Sequence, residues 1–240
     1  FDAADLGYLS IAAHGHADAL SLLLSIAGRT VLVDPGTFCY STEPRWRAYF
    51  RGTAAHNTVR VYGLDQSVAG GPFMWTRKAV VSARGLASQA SGQRAGAEHD
   101  GYRRLADPVR HRRTVTVSGR LEAQAHGETA SRIEVEDLVD CAGPHEVELF
   151  WHFAPDCVLV REDGSNGRRV RATLDDRLEI LVELDLPPGF ALALLRGDED
   201  RPAGWYSPRF GVRVPSWVAV ASGSIDGTTV LATQFLPVLR

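Results

Sequence analysis

The chain is 240 residues long, with 45% hydrophobic and 23% charged residues and a formal net charge of −3. That composition supports a sizeable buried core and excludes a disordered chain, while the weak net acidity gives no global basic field to attract nucleic acid. No run approaches the roughly 18 apolar residues needed to span a bilayer.

The first residue is Phe1 and the sole methionine is Met74, so the sequence reads as a piece of a longer chain whose natural start lies upstream. The compartment therefore stays open. Cys39, Cys141 and Cys157 are odd in number and lack C-x-x-C spacing, which argues against a disulfide scaffold or a thiolate zinc site. Arginines cluster at Arg103-Arg104, Arg110 to Arg113 and Arg168-Arg169, leaving room for a local anion-binding surface.

In chain order, a polar turn, His14-Gly15-His16-Ala17-Asp18, opens the informative region. Residues 17–27 are rich in Ala and Leu and stop at Gly28. Periodicity alone does not separate a helix from a buried strand there. The strand reading is preferred, because 18–25 would pair with 30–34 through a tight turn at Ala27-Gly28-Arg29. A short helix or turn is expected over 45–51, carrying Trp46 and Tyr49. Further strands are predicted at 58–62, 78–82, 113–117, 131–138, 146–153, 157–161, 178–184, 191–195 and 217–221. Turn residues separate them, as at 163–167 and Asp226-Gly227, and 89–97 reads as a low-complexity loop. Many short strands with regular turn signals indicate one all-β domain over residues 1–240, a sandwich or barrel of mainly antiparallel strands.

Three imidazoles and a carboxylate fall within the first 56 residues: His14, His16, Asp34 and His56. Zinc accepts imidazole nitrogen and carboxylate oxygen, commonly four ligands in a tetrahedron. On an extended segment His14 and His16 would share a face, yet they need not share a metal. Asp34 ends the apolar run Thr30-Val31-Leu32-Val33, and His56 precedes another strand start. From spacing alone, metal binding and structural hydrogen bonding explain this pattern about equally well.

The order HGHADALSL, VLVDPGTFCY and YFRGTAAHNTVRVYGLDQS resembles the C-terminal β-sheet domain of the heparinase II/III-like family. The resemblance continues through HDGYRRLADPVRHRRTV, ELFWHFAP and GWYSPRFGVRVPS, nearly the whole chain. It implies an antiparallel, supersandwich-like β-sandwich with at most one or two short helices. It also implies a polysaccharide lyase in which a helical toroid domain, absent here, precedes this one and an anionic, uronate-containing glycan lies between the two. A bacterial, periplasmic or secreted protein is implied by the same resemblance.

Residue by residue, His16, Asp34 and His56 match the family's zinc ligands, leaving Asp18 out, and His14 matches the histidine facing substrate. Tyr40 looks like the tyrosine placed against the sugar, with Tyr49 as the alternative. The implied reaction is β-elimination from a 4-linked uronate. It requires engaging the carboxylate, removing the C5 proton and protonating the departing O4. Histidine and tyrosine suit the proton transfers. Arg51 and Asn57 are candidate substrate-binding donors, and the zinc is expected to be structural, fixing the loop that carries His14 and Tyr40.

Other residues read more plainly. His152 is expected to be a hydrogen-bonded core histidine, His111 part of an exposed or interdomain strand, and His99-Asp100 part of a turn. Trp75, Trp205 and Tyr206 could stack on sugars, although sandwich aromatics are more often core. The competing function is a non-catalytic, zinc-stapled sandwich that binds an anionic polysaccharide or takes part in polysaccharide production.

Overall fold

A computed structural model describes residues 1–7, 10–89, 92–119, 131–162 and 168–239. Strands β1 (Leu24–Ile26) and β2 (Arg29–Leu32) form a short hairpin, followed by helix α1 (Pro44–Arg51), a 3-10 turn (Thr53–Ala55) and β3 (Val59–Val61). Two hairpins come next, β4 (Val68–Gly71) with β5 (Met74–Arg77) and β6 (Val81–Gln89) with β7 (Gly92–His99). Then follow β8 (Arg110–Ser118), β9 (Arg132–Asp140), β10 (Pro144–His152), β11 (Val158–Arg161), β12 (Arg169–Thr173), β13 (Leu178–Asp185) and β14 (Ala191–Arg196). The hairpin β15 (Trp205–Arg209) and β16 (Val212–Pro215) precedes the long strands β17 (Trp217–Asp226) and β18 (Thr229–Leu239).

Two antiparallel sheets dominate. The larger has eight strands in the order β11-β12-β13-β18-β9-β8-β7-β6, and the smaller has four in the order β14-β17-β10-β3. Burial alternates along β8 and β9, so Val115, Ile133, Val135 and Val139 turn inward. They join Val59, Val147, Leu149 and Ala221 of the smaller sheet in one apolar cluster. Trp151 spans the gap: its ring meets Phe235 edge-on at 5.1 Å, and its indole N–H donates to Thr233 at 3.2 Å. The result is the expected all-β, antiparallel sandwich with a single α-helix among the described residues.

Three local expectations change. Only Leu24–Ile26 of the 17–27 segment is strand, pairing with Arg29–Leu32 through Ala27 and Gly28, both at positive φ (49° and 76°). The preceding residues stay irregular because side chains from elsewhere replace a strand ladder. Thr53 donates to the Ala17 carbonyl, Thr58 and Gln66 to that of Ala19, Arg113 to that of Leu20, and Asn57 to that of Leu22. The stretch 89–97 is not a loop: its described residues belong to the β6–β7 hairpin, templated by full pairing of β7 with β8. His111 is fully buried rather than exposed. The turn expected at 163–167 lies outside the described residues.

Candidate metal centre and the aromatic rim beside it

The helix α1 starts with Pro44 at its first turn, where a missing N–H costs nothing, and delivers the chain through the 3-10 turn to His56. His56 is fully buried, and its Nδ1 donates to the Gly52 carbonyl at 2.8 Å. That bond fixes the tautomer and leaves the Nε2 lone pair facing His16 Nδ1, 3.2 Å away, and Asp34 Oδ2, 3.6 Å away. Two nitrogens bound to one tetrahedral zinc lie roughly 3.3 Å apart, so the imidazole pair fits a shared cation. Asp34 keeps one oxygen for the Gly36 N–H at 2.9 Å, which holds the other towards the cluster. Gly36 has φ 78°, and a Cβ there would stand 2.4 Å from the Ser207 carbonyl, so the turn after Asp34 is clamped against β15.

A fourth group completes the set. Ligand atoms of His16, Asp18, Asp34 and His56 all lie within 4.8 Å of one another. Asp18 stands two residues after His16 at the start of a turn closed by the Ser21 N–H, which donates to the Asp18 carbonyl at 2.9 Å. Burial, with Asp2 and Asp34 adding to it and His56 opposing, pushes the Asp18 carboxyl up to about 6. Burial, His56 and the nearby Arg47 and Arg51 push His16 down to about 2, so its lone pair is free at ordinary pH. Two carboxyl groups and two imidazoles form a donor set of the kind zinc takes.

The expected donor Asn57 is instead a strut. It is fully buried, its amide donates to the Leu22 and Val33 carbonyls (2.8 and 3.0 Å), and its oxygen accepts from the His152 N–H at 2.6 Å. No hydrogen is left for a sugar. Behind it, Arg113 binds the Asn57 and Leu20 carbonyls and forks onto Asp137 at 2.7 and 2.9 Å, and His111 meets Asp137 at 2.6 Å. Burial alone would raise Asp137, yet Arg113 and His111 outweigh it and hold the carboxyl at about 2. This buried network ties the loops of the candidate cluster to β8 and β9 of the large sheet.

A family model, heparinase II/III-like, C-terminal, matches residues 1–231. The chain belongs to the heparinase II/III-like family. A search of curated proteins finds no match. Among solved structures, the domain is similar to heparan sulfate lyase HepC from Pedobacter heparinus, with a TM-score of 0.75 and 16% identity over 99% of this chain and 32% of that one. A crystal structure of heparinase III gives a TM-score of 0.72 and 16% identity over 94% of this chain and 30% of that one. At that identity the likeness is one of fold, and the chain spans about a third of these structures.

In this heparinase II/III-like domain the remaining candidates separate cleanly by position. His14 is exposed, and its ring meets Tyr40 edge-on at 5.4 Å. Tyr40 is half-buried and packs against Phe73 at 5.6 Å and Phe210 at 5.3 Å. Both phenylalanines are exposed and sit at hairpin tips, Phe73 between β4 and β5 and Phe210 between β15 and β16. They were not anticipated from sequence; an aromatic placed in a turn, as in Pro72-Phe73 or Phe210-Gly211, was the available signal. Tyr49 faces the other way, into a buried cluster with Phe38, Trp46, Phe50 and Trp205. Its hydroxyl accepts the Trp205 N–H at 3.4 Å, and burial raises its pKa far above the usual phenol range.

Arg51 is buried, donates to the Gly71 carbonyl at 2.6 Å and lies 3.9 Å over the Trp75 ring. Trp75 is itself buried, and its indole donates to the Gly15 carbonyl at 3.0 Å, holding the His14-Gly15-His16 turn rather than offering an open sugar platform. Trp205 is a core residue. His152 is buried, donating from Nε2 to the Ala54 carbonyl at 3.0 Å.

Proposed function

We propose that this domain forms one wall of the active site of a polysaccharide lyase that cleaves a uronate-containing glycan by β-elimination. The observation that carries the reading is the contact between exposed His14 and Tyr40, beside the four-ligand cluster and under two exposed phenylalanines. His14 and Tyr40 act as the proton-transfer pair. The C5 proton leaves to a base, its electron pair becomes the C4–C5 double bond, and O4 departs with a proton supplied by an acid. Phe73 and Phe210 supply apolar faces for sugar rings. Tyr49 takes no part, since its hydroxyl is sealed in the core.

His16, Asp18, Asp34 and His56 are the residues that would hold zinc. Bound there, the ion would supply structural cross-linking rather than Lewis acidity, pinning the loops that present His14 and Tyr40. Family membership and the fold shared with heparan sulfate lyases support an anionic polysaccharide as substrate. The rest of the site would come from a preceding helical domain of the same protein.

The test is to incubate the full-length protein with heparan sulfate, alginate and other uronate polymers while following absorbance of the unsaturated product. The lyase predicts a rise on at least one polymer, lost in His14→Ala and Tyr40→Phe. A non-catalytic polysaccharide-binding domain would retain glycan affinity with no product on any polymer.

A further inference from the structure

Beneath the Tyr40 ring lies a cavity of about 310 Å³. Its walls are largely apolar, formed by Pro44, Ala48, Ala69, Pro72 and Trp75, and Arg47 and Arg51 line it as well. These arginines stand four residues apart on α1, on one face of the helix. Like charges at that spacing repel, and here both are almost wholly buried, 1% and 3% exposed. Arg47 donates from Nε to the Pro72 carbonyl at 3.2 Å, and Arg51 from Nη1 to the adjacent Gly71 carbonyl at 2.6 Å, so one turn holds the two side by side.

Among the described residues, no carboxylate forms an ion pair with either guanidinium. Asp65 lines the same cavity and acts on Arg51 at longer range, while its Oδ1 accepts from the Thr53 N–H at 2.7 Å. One N–H group on each arginine, Arg47 Nη1 and Arg51 Nε, is buried without any partner. The Asp65 carboxylate and the Tyr40 and Trp75 rings offset part of the charge, yet two buried guanidiniums facing a single carboxylate, each with an unfilled donor, leave room for a further anion.

We infer that Arg47 and Arg51 form an oxyanion subsite, which receives a carboxylate or sulfate group of a sugar whose ring lies against Tyr40 and its neighbouring aromatics. The Arg47 guanidinium already lies 5.2 Å from the Tyr40 ring centre, so a group bound here sits next to the His14–Tyr40 pair. This deepens the lyase reading and rests on it for the placement of the sugar; the anion pocket itself rests on the arginines.

The test is calorimetric binding of tetrasaccharides to the full-length, zinc-loaded protein in a His14→Ala background that prevents turnover. The probes are heparan-type and alginate tetrasaccharides, the heparan-type one also in desulfated and carboxyl-reduced forms. Arg47→Ala is expected to weaken binding roughly ten- to hundredfold, with Arg47→Lys intermediate. Should Arg47→Ala fail to fold, Ala48→Leu narrows the cavity from an exposed helix position without changing charge and is expected to weaken binding in the same way. Loss of affinity on carboxyl reduction assigns the pocket to the uronate carboxylate; loss on desulfation assigns it to a sulfate. Binding unaffected by both variants, equal binding of all charge-altered probes, or no binding of any probe overturns the subsite. Product formation by the protein with His14 intact, followed separately, decides the lyase reading, so the two fail independently.

Discussion

At the residue scale, the cluster of His16, Asp18, Asp34 and His56 and the two tyrosines make separate demands. Asp18 is visible in the sequence two residues after His16, but nothing in His-Gly-His-Ala-Asp reveals that both side chains turn towards Asp34 and His56. If it is a ligand, Asp18→Asn should lower zinc affinity about 10- to 100-fold, measured by competition with a chelating dye, with the secondary structure retained. Unchanged affinity would restore the three-ligand set of His16, Asp34 and His56. Tyrosine exchange separates chemistry from packing. Tyr40→Phe, in contact with His14, should reduce elimination by about 100-fold or more with an unaltered melting temperature. Tyr49→Phe removes only a buried acceptor for the Trp205 N–H and should cost about 1 kcal/mol of stability while activity is kept.

At the scale of elements, the stretch from α1 through the 3-10 turn to Asn57 is the spine of the site. It supplies Arg47 and Arg51 to the cavity, His56 to the cluster and Asn57 to the neighbouring loops. Its anchor is Arg113, which joins Asn57 and Leu20 to Asp137 on the large sheet. Replacing Arg113 with Met would leave the buried Asp137 charge without its main partner and should destabilise the domain by about 3–5 kcal/mol in urea unfolding. A loss under 1 kcal/mol would mean that the network is not what holds the loops.

The legibility of these elements in sequence follows from where their partners lie. Strands β8 and β9 alternate because one face is buried, and that period survives in the sequence. Residues 17–23 carry the same apolar content but are shaped by side chains 30 to 90 positions away, such as Thr53, Thr58 and Arg113, which no local pattern encodes. The β6–β7 hairpin hides for a different reason: its exposed small residues have no period, and pairing to β8 alone makes it strand. The cluster of His16, Asp34 and His56 was readable through family resemblance, whereas the rim of Phe73 and Phe210 arises only when two hairpin tips meet over Tyr40.

For the whole molecule, stability should respond to both metal and pH. Four candidate ligands from three separated segments would make a bound ion a cross-link, so chelation should lower the melting temperature of the zinc-loaded protein and collapse activity with it. Full retention of fold with loss of chemistry would instead indicate a directly catalytic ion. Acid acts through buried histidine. Burial, with His56 adding to it and the Ala54 bond opposing, lowers His152 from 6.5 to about 3. Its contribution is therefore whole above pH 6.5 and declines as pH falls towards 3, because the unfolded chain takes up the proton first. Its share of the slope is about 1.4 kcal/mol per pH unit, beside that of His16, which is lowered likewise. His152→Gln, which can still donate to the Ala54 carbonyl, should flatten that slope in urea titrations of the metal-free protein.

The central claim is that this β-domain presents a proton-transfer pair to a uronate glycan. The most direct measurement is the absorbance of unsaturated product released by the full-length protein from uronate polymers, compared with His14→Ala and Tyr40→Phe. The account predicts product from at least one polymer and about a 100-fold or greater loss in each variant, with zinc content unchanged. Undiminished product in both variants, or none from any polymer by a zinc-loaded protein that binds the glycan, would contradict it.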